Sequence, residues 1–356
     1  MKANFKRLHH FLADSHKKPF PKIIKETLQL WMEKKEFPYH YFGRHFYRTD
    51  APTNFKDYLS IQQYNRLMAS IVYRNELHST INAILNDKFI FHLYASEQKL
   101  RLPNVFSYNF RNTFFFNNTS YKVTTQTELI HFFKLVLKTT SKSGLFLKIN
   151  EGCGGYGAIL LDEATLSNQT PKLFKALTNN SYIHQELVIQ HEAINKIYSK
   201  SINTLRIETF INQKDEVHIV GTFMRFGSGN SFVDNVSQGG FYVPITENGT
   251  LFKKAITSLV KGIGHNEKHP DTGFVFDGFK IPFYKEAIEL AKTSARLVPC
   301  YLQGWDIAIT VDGPMIIECN YSPSIIYSEY SYHGYKNNPV FIELMKDAKA
   351  YHSKKE

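Results

Sequence analysis

Two carboxylates and an amide stand at Asp306, Glu318 and Asn320, within QGWDIAITVDGPMIIECNYSP at 303–323. Oxygen-only donors of this kind suit a hard divalent cation, above all Mg²⁺. The stretch is a hairpin by pattern, because apolar residues alternate on either side of Asp312-Gly313. Trp305, Ile307, Ile309 and Val311 form the apolar face of the first strand, and Met315, Ile317 and Cys319 that of the second. Successive side chains point to opposite faces, so burying both sets together leaves Asp306, Glu318 and Asn320 on the other face. Asp306 is then expected roughly opposite Asn320. A tight two-residue turn would break that arrangement, which predicts a three-residue loop at 312–314. Partly buried carboxylates left unpaired would cost roughly several kcal/mol each, so something cationic belongs between them. A solvated polar face on an ordinary hairpin is the competing reading.

A second stretch, LFLKINEGCGGYGAILL at 145–161, runs from an apolar strand carrying Lys148 into Gly152, Gly154, Gly155 and Gly157, then into another apolar strand. A Walker loop or a dinucleotide fingerprint would need a helix behind the glycines, and none is predicted. A glycine-rich hairpin loop can fold over a polyphosphate with its backbone N–H groups, while Lys148 supplies positive charge.

Together the two stretches resemble the ATP-grasp superfamily, and most of all its sugar-transfer-associated branch. The resemblance covers roughly residues 86–323. It is carried by NDK at 86–88, FLKINEGCGGYG at 146–157, HQELVIQHE at 184–192 and NTLRIETF at 203–210. It continues through MRFGSGNSFVDNVSQGG at 224–240, KHPDTG at 268–273, GWDIAIT at 304–310 and IIECNYSP at 316–323. It implies an α+β ATP-grasp fold, glutathione synthetase-like or D-alanine–D-alanine ligase-like, in which two subdomains grip ATP. The expected partition is a helical N-terminal region at 1–80, the first gripping part at 81–187 with the glycine loop, and a second at 188–356 with the metal site.

The resemblance also implies roles. Lys88 and Lys148 would hold the nucleotide phosphates beneath the glycine loop. Gln185 or Glu186 would face the adenine amine, Leu187 and Val188 would offer backbone contacts, and Glu192 would take the ribose hydroxyls. Arg206 and Arg225 would neutralise the transferred phosphoryl group. Residues 227–240 would cover the acceptor, with Asn235 against phosphate or metal and Gly239 and Gly240 beside the substrate. His269 and Asp271 could handle the proton of an attacking amine. ATP and Mg²⁺ are the expected cofactors. The expected chemistry is ATP-dependent joining of a carboxylate, such as an acidic sugar or polysaccharide, to a small amine or amino acid through an acyl phosphate. A kinase of the same fold and a non-catalytic nucleotide-binding module are the alternatives. His184 and His191 are expected to be structural.

The 356 residues are enough for two or three subdomains, with 43% hydrophobic and 21% charged residues. No apolar run reaches a membrane span and no signal peptide is visible at Met1. Cys153, Cys300 and Cys319 show neither metal nor disulfide spacing, so a cytoplasmic location is expected. The net charge of +11 raises nucleic acid as a partner. The basic residues are scattered, however, and no nucleic acid is expected. They are densest near the N-terminus, at Lys2, Lys6, Arg7, Lys17, Lys18, Lys22 and Lys25. A solvated face is one reading of that charge. Peripheral association with the inner membrane face, with a glycosyltransferase or with an acidic polysaccharide is the other. Helices are predicted at 23–32, 62–85, 87–98, 124–140, 172–177, 282–297 and 338–351, and strands at 182–189, 204–211 and 217–226. The aromatic stretch YHYFGRHFYR at 39–48 reads as a packed interface.

Overall fold

The computed structural model describes every residue except Met1, 77–78, 153, 257–265, 299 and 354–356. Cys153 therefore lies outside the described residues. The chain opens with helices α1 (Lys2–Ala13), α2 (Phe20–Lys34), α3 (Tyr39–Gly43), α4 (Ile61–Glu76), α5 (Ser79–Asn86) and α6 (Lys88–Glu97). The helix expected over 62–85 is described as α4 and α5, and the part of it at 77–78 lies outside the described residues. The aromatic stretch packs as its pattern predicts: Tyr41, Phe46, Tyr47, Phe55 and Tyr58 are buried together with Phe223, Tyr242 and Tyr330. Each such ring buries a large apolar area, which fixes the N-terminal helices to the second half of the chain. Lys18 belongs to this interior. Its ammonium donates to Glu26 Oε2 at 2.8 Å and to the Phe46 carbonyl at 2.7 Å, so it is no part of a solvated basic face.

Next come β1 (Val105–Phe110), β2 (Thr113–Phe116), β3 (Thr119–Lys122), α7 (Gln126–Thr140), β4 (Gly144–Ile149), β5 (Ile159–Asp162), α8 (Leu166–Asn179) and β6 (Tyr182–Glu186). The strands form a six-stranded sheet in the order β3-β2-β1-β6-β4-β5, and every pair is antiparallel. A capping box starts α7: Thr125 accepts from the Glu128 amide while the Glu128 side chain accepts from the Thr125 amide. α8 is longer than its expected core at 172–177. It runs through Pro171 because Leu166, Leu173 and Leu177 all bury on one face, which outweighs the amide bond that proline cannot make.

The second half contains α9 (Glu192–Asn195), β7 (Thr204–Ile211), β8 (Val217–Phe226), β9 (Phe241–Pro244), α10 (Tyr284–Leu297), β10 (Leu302–Thr310), β11 (Gly313–Asn320) and α11 (Pro339–Ser353). Here five antiparallel strands lie in the order β11-β10-β7-β8-β9. Trp305, Ile307 and Ile309 pack with α10 residues such as Ala287, Ala291 and Ala295. Phe210, Val220 and Leu302 pack on the opposite face with residues of α4 and α11. β10 is buried along its whole length. Among the described residues, no helix is long and apolar enough to cross a membrane.

Candidate active site

The β10–β11 hairpin places the carboxylates, though by a different construction from the one its pattern suggests. Its turn has only two residues between paired Thr310 and Gly313, not a loop at 312–314. In unbroken register this turn would set Asp306 against Ile317 and send the two carboxylates to opposite faces. A β-bulge prevents it. Ile307 pairs with Ile316, Asp306 pairs with Glu318, and Ile317 is the extra residue. Asp306 therefore faces Glu318, and Asn320 lies opposite Gly304. Alternation keeps all three on one sheet face. Ile317 leaves the expected apolar set and lines the cleft instead, and its carbonyl lies 3.3 Å from Lys148 Nζ, which donates to it.

Opposite the hairpin stand the two lysines. Lys148 is on β4, and Lys88 is the first residue of α6, whose cap is Asp87: Oδ1 accepts from Phe89 N at 2.7 Å and Ile90 N at 3.0 Å. The Lys88 amide donates to the Asn150 carbonyl at 3.0 Å and its ammonium to the Gly152 carbonyl at 2.6 Å. The start of α6 is thereby fastened to the glycine loop. Lys88 Nζ also lies 3.9 Å from Glu318 Oε1. Burial is the main effect on Lys148 and lowers its pKa to about 8; Glu318 acts against the shift and Lys88 with it.

Asp306 is the centre of an ion-pair chain. Arg225 Nη2 lies 2.7 Å from Asp306 Oδ2, and Arg206 Nε lies 2.6 Å from Oδ1. The second contact is Coulombic and not a directed hydrogen bond, since neither Arg206 Nε nor Asp306 Oδ1 finds a hydrogen-bond partner. Burial alone would lower the Arg225 pKa, but Asp234 and Asp306 hold it raised. Asp234 is only a loop residue by sequence pattern, yet it is the anchor of residues 227–240. Its Oδ2 accepts from Thr204 N at 2.8 Å and Thr204 Oγ1 at 2.5 Å. Asn235 beside it meets the glycine loop so closely that a Cβ on Gly155, at φ +74, would come within 2.5 Å of Asn235 Oδ1. Phe232 packs edge-on against Phe146 at 6.3 Å.

One cleft is lined by Lys88, Lys148, Gly152, Gly155, Gln185, Glu186, Leu187, Val188, Arg225, Asp234, Asn235, Asp306 and Glu318. Phe146, Leu160, Leu187, Val188 and Ile317 give it an apolar slot. Within it, the Glu186 carboxylate is held by Asn104, whose backbone N and Nδ2 each donate to Oε1 at 2.9 Å. Ser199, Lys200 and Ser201 also line the cleft, and nothing in their pattern singles them out. Lys200 Nζ donates to Asn230 Oδ1, which ties the cleft wall to the same loop.

Several expected residues are placed elsewhere. Glu192, expected at the ribose, is exposed at the start of α9, 3.5 Å from Lys196, and outside the cleft lining. His269 and Asp271, expected at the amine proton, brace the loop from outside the lining. His269 Nε2 donates to the Gly227 carbonyl at 3.0 Å, and Asp271 Oδ2 accepts from Gly229 N at 2.8 Å. Burial lowers the His269 pKa, and its ring stacks on Tyr198 at 4.9 Å. Gly239 and Gly240 shape the loop's end instead of the lining; a Cβ on Gly240 would strike the Asp234 carbonyl at 2.2 Å. Gly154, Gly157, Arg206 and Asn320 are not among the residues that line the cleft. His184 is structural, as expected: it bonds Ser107 Oγ at 2.8 Å and Asn109 Oδ1 at 3.0 Å in the interior. His191 caps α9 through Ala193 N at 3.1 Å.

Two antiparallel sheets closing on a cleft, one bringing lysines and a glycine loop and the other paired carboxylates, define an ATP-grasp fold. Within that class the chain belongs to the sugar-transfer associated ATP-grasp family, whose model matches residues 72–333. No curated protein matches it. Among solved structures, it is similar to N5-carboxyaminoimidazole ribonucleotide synthetase in its ADP complex, with 13% identity, TM-score 0.40 and coverage of 68% of this chain and 46% of that one. The biotin carboxylase domain of Hydrogenobacter thermophilus 2-oxoglutarate carboxylase, solved with MgADP, ADP and bicarbonate, gives 10% identity, TM-score 0.43 and coverage of 75% and 46%. The D-alanine–D-alanine ligase of Bacillus anthracis gives 10% identity, TM-score 0.43 and coverage of 77% and 70%. The chain thus spans about half the length of the first two.

Proposed function

We propose that the chain is an ATP-dependent carboxylate–amine ligase. In this reading it activates a sugar acid, such as a uronic acid of a surface polysaccharide or its precursor, and joins it to an amino acid or small amine. The observation that carries the proposal is the charge of the cleft. Lys88, Lys148 and Arg225 face the paired carboxylates Asp306 and Glu318 in one cleft, at the place where the glycine loop and residues 227–240 meet. Lysines and an arginine held together in a partly dry site favour a polyphosphate and the charge that develops as phosphoryl is transferred.

The same residues fit Mg²⁺. Asp306, Glu318 and Asn320 offer only oxygen, and Asp306 Oδ1 has no directed hydrogen bond. Because Asp306 is already neutralised by two arginines, the set suits a cation that arrives with phosphate oxygens better than an all-protein cage. Bound there, Mg²⁺ would neutralise phosphate charge and orient the polyphosphate.

Lys88 and Lys148 would hold the phosphates, and the apolar slot the base, with Gln185 facing its edge. The acceptor carboxylate would attack the γ-phosphorus, with ADP leaving. The amine would then attack the acyl carbon, and phosphate would leave as the amide forms. Arg225 and Arg206 would hold negative charge in both steps, and Asn235 would close over the transferred group and exclude water. The partition at 80 and 187 is kept here, with one gripping sheet in each of the last two parts.

Release of ADP in the presence of uronic acids, with and without a pool of amines, tests the reading. ADP that requires both substrates supports a ligase. A stable phosphorylated sugar formed without amine would replace the ligase with a kinase, and absence of ADP under all conditions would leave a binding module.

A further inference from the structure

The helix α2 has two apolar faces, and among the described residues one is packed into the fold and the other is exposed. Ile23, Glu26 and Leu30 turn inward. Phe20, Ile24, Leu28, Trp31 and Met32 are 54%, 56%, 46%, 56% and 71% exposed. Their spacing puts them on one stripe of the helix. Ring contacts extend the stripe: Phe20 to Phe11 at 6.5 Å, Phe11 to Phe42 at 5.4 Å, and Phe42 to Phe37 at 6.5 Å. Scattered exposed apolar side chains are ordinary, but a continuous aromatic and aliphatic band is not.

The charges around the band are one-sided. Asp14 is consumed by Arg48 at 2.8 Å, Glu26 by Lys18 at 2.8 Å, and Glu33 reaches Lys336 at 3.4 Å. Glu36 is buried. Lys22, Lys25 and Lys35 are exposed and make no ion pair among the described residues. We propose that this lysine-rimmed face of α2 seats the protein on an anionic lipid bilayer. A helix lying in the interface has this form, with Trp, Phe and aliphatic groups toward the acyl chains and lysines toward the headgroups. A two-fold contact with a second copy fits less well, since it would bring two lysine rims together. The proposal does not depend on the ligase reading.

The full chain supplies its own probe, because Trp305 is wholly buried and Trp31 is the other tryptophan. Vesicles of phosphatidylcholine with phosphatidylglycerol should bind the protein in flotation and shift its tryptophan emission to the blue, whereas pure phosphatidylcholine vesicles should do neither. Trp31→Ser should weaken binding about tenfold, as expected for one large side chain no longer entering the apolar layer. Lys22→Ala with Lys25→Ala should weaken binding to the anionic vesicles by about tenfold or more. Trp31→Phe should keep most of the binding and lose the spectral shift, which separates contact from misfolding. ATP affinity should be unchanged in all of these variants. Failure to bind anionic vesicles overturns the proposal, as does equal binding to both vesicle types. A concentration-dependent dimer abolished by Trp31→Ser, without vesicle binding, would assign the face to a second copy instead.

Discussion

Replacing Lys148 by Met should make the empty protein more stable and its hold on ATP weaker. Burial brings the ammonium from 10.5 down to about 8, and each unit is worth about 1.4 kcal/mol, so the charged lysine costs the fold about 3 kcal/mol at neutral pH. Methionine fills nearly the same volume without charge, so it should recover much of that cost. Against ATP the sign reverses. One lost charge-assisted phosphate contact is worth about 1.5–3 kcal/mol, or about tenfold to a hundredfold in affinity. Denaturant unfolding without nucleotide and calorimetric titration with ATP read the two effects separately. The stability gain has a definite pH window. The folded pKa is depressed, so the cost is fully present below about 8 and disappears as the pH rises toward 10.5, where the unfolded lysine also loses its proton. A variant that is less stable at neutral pH, or that binds ATP as tightly as the wild type, would refute this assignment of Lys148.

Glu318→Gln should abolish Mg²⁺-dependent nucleotide turnover at an unchanged melting temperature; retained turnover would remove Glu318 from the metal set. Gly155→Ala should lower turnover through two effects, a φ of +74 and a Cβ 2.5 Å from Asn235 Oδ1, with a strain of roughly 1 kcal/mol or more. Unchanged kinetics would mean that the two loops need not meet. Burial pushes the Glu208 carboxyl up to about 7, against the opposing hydrogen bond from Ser328. Stability should therefore fall as pH rises from 4.5 to about 7. Glu208→Gln should remove that slope in urea titrations, and a slope identical to the wild type would place the titration elsewhere.

Much of this site could be read from single stretches of sequence. The strands at 204–211 and 217–226 match β7 and β8 residue for residue, because each is a run rich in β-branched and aromatic residues bounded by polar turns. The face shared by Asp306, Glu318 and Asn320 was also readable, but the route to it was not. A bulge at Ile317 leaves no mark in apolar alternation, because an isoleucine suits both the core and a cleft wall. Residues that depend on distant partners were the hardest to place. Asp234 anchors a loop only because Thr204 and Arg225 lie beneath it. Glu192 follows a buried strand but turns outward on a short helix. His269 and Asp271 sit in a loop whose composition suits chemistry, yet their side chains are occupied by the backbone of residues 227–229. Lys18 shows the same limit for charge: a run of lysines does not reveal which of them finds a buried glutamate.

The central claim is that phosphoryl transfer activates a carboxylate for attack by an amine. Oxygen-18 in the carboxyl group of the acid substrate tests it most directly. If the carboxylate attacks ATP and phosphate later leaves from the acyl carbon, each inorganic phosphate formed with the amide should carry one labelled oxygen from the acid. Phosphate free of label, with amide still being formed, would contradict the acyl-phosphate route and the role given to this cleft.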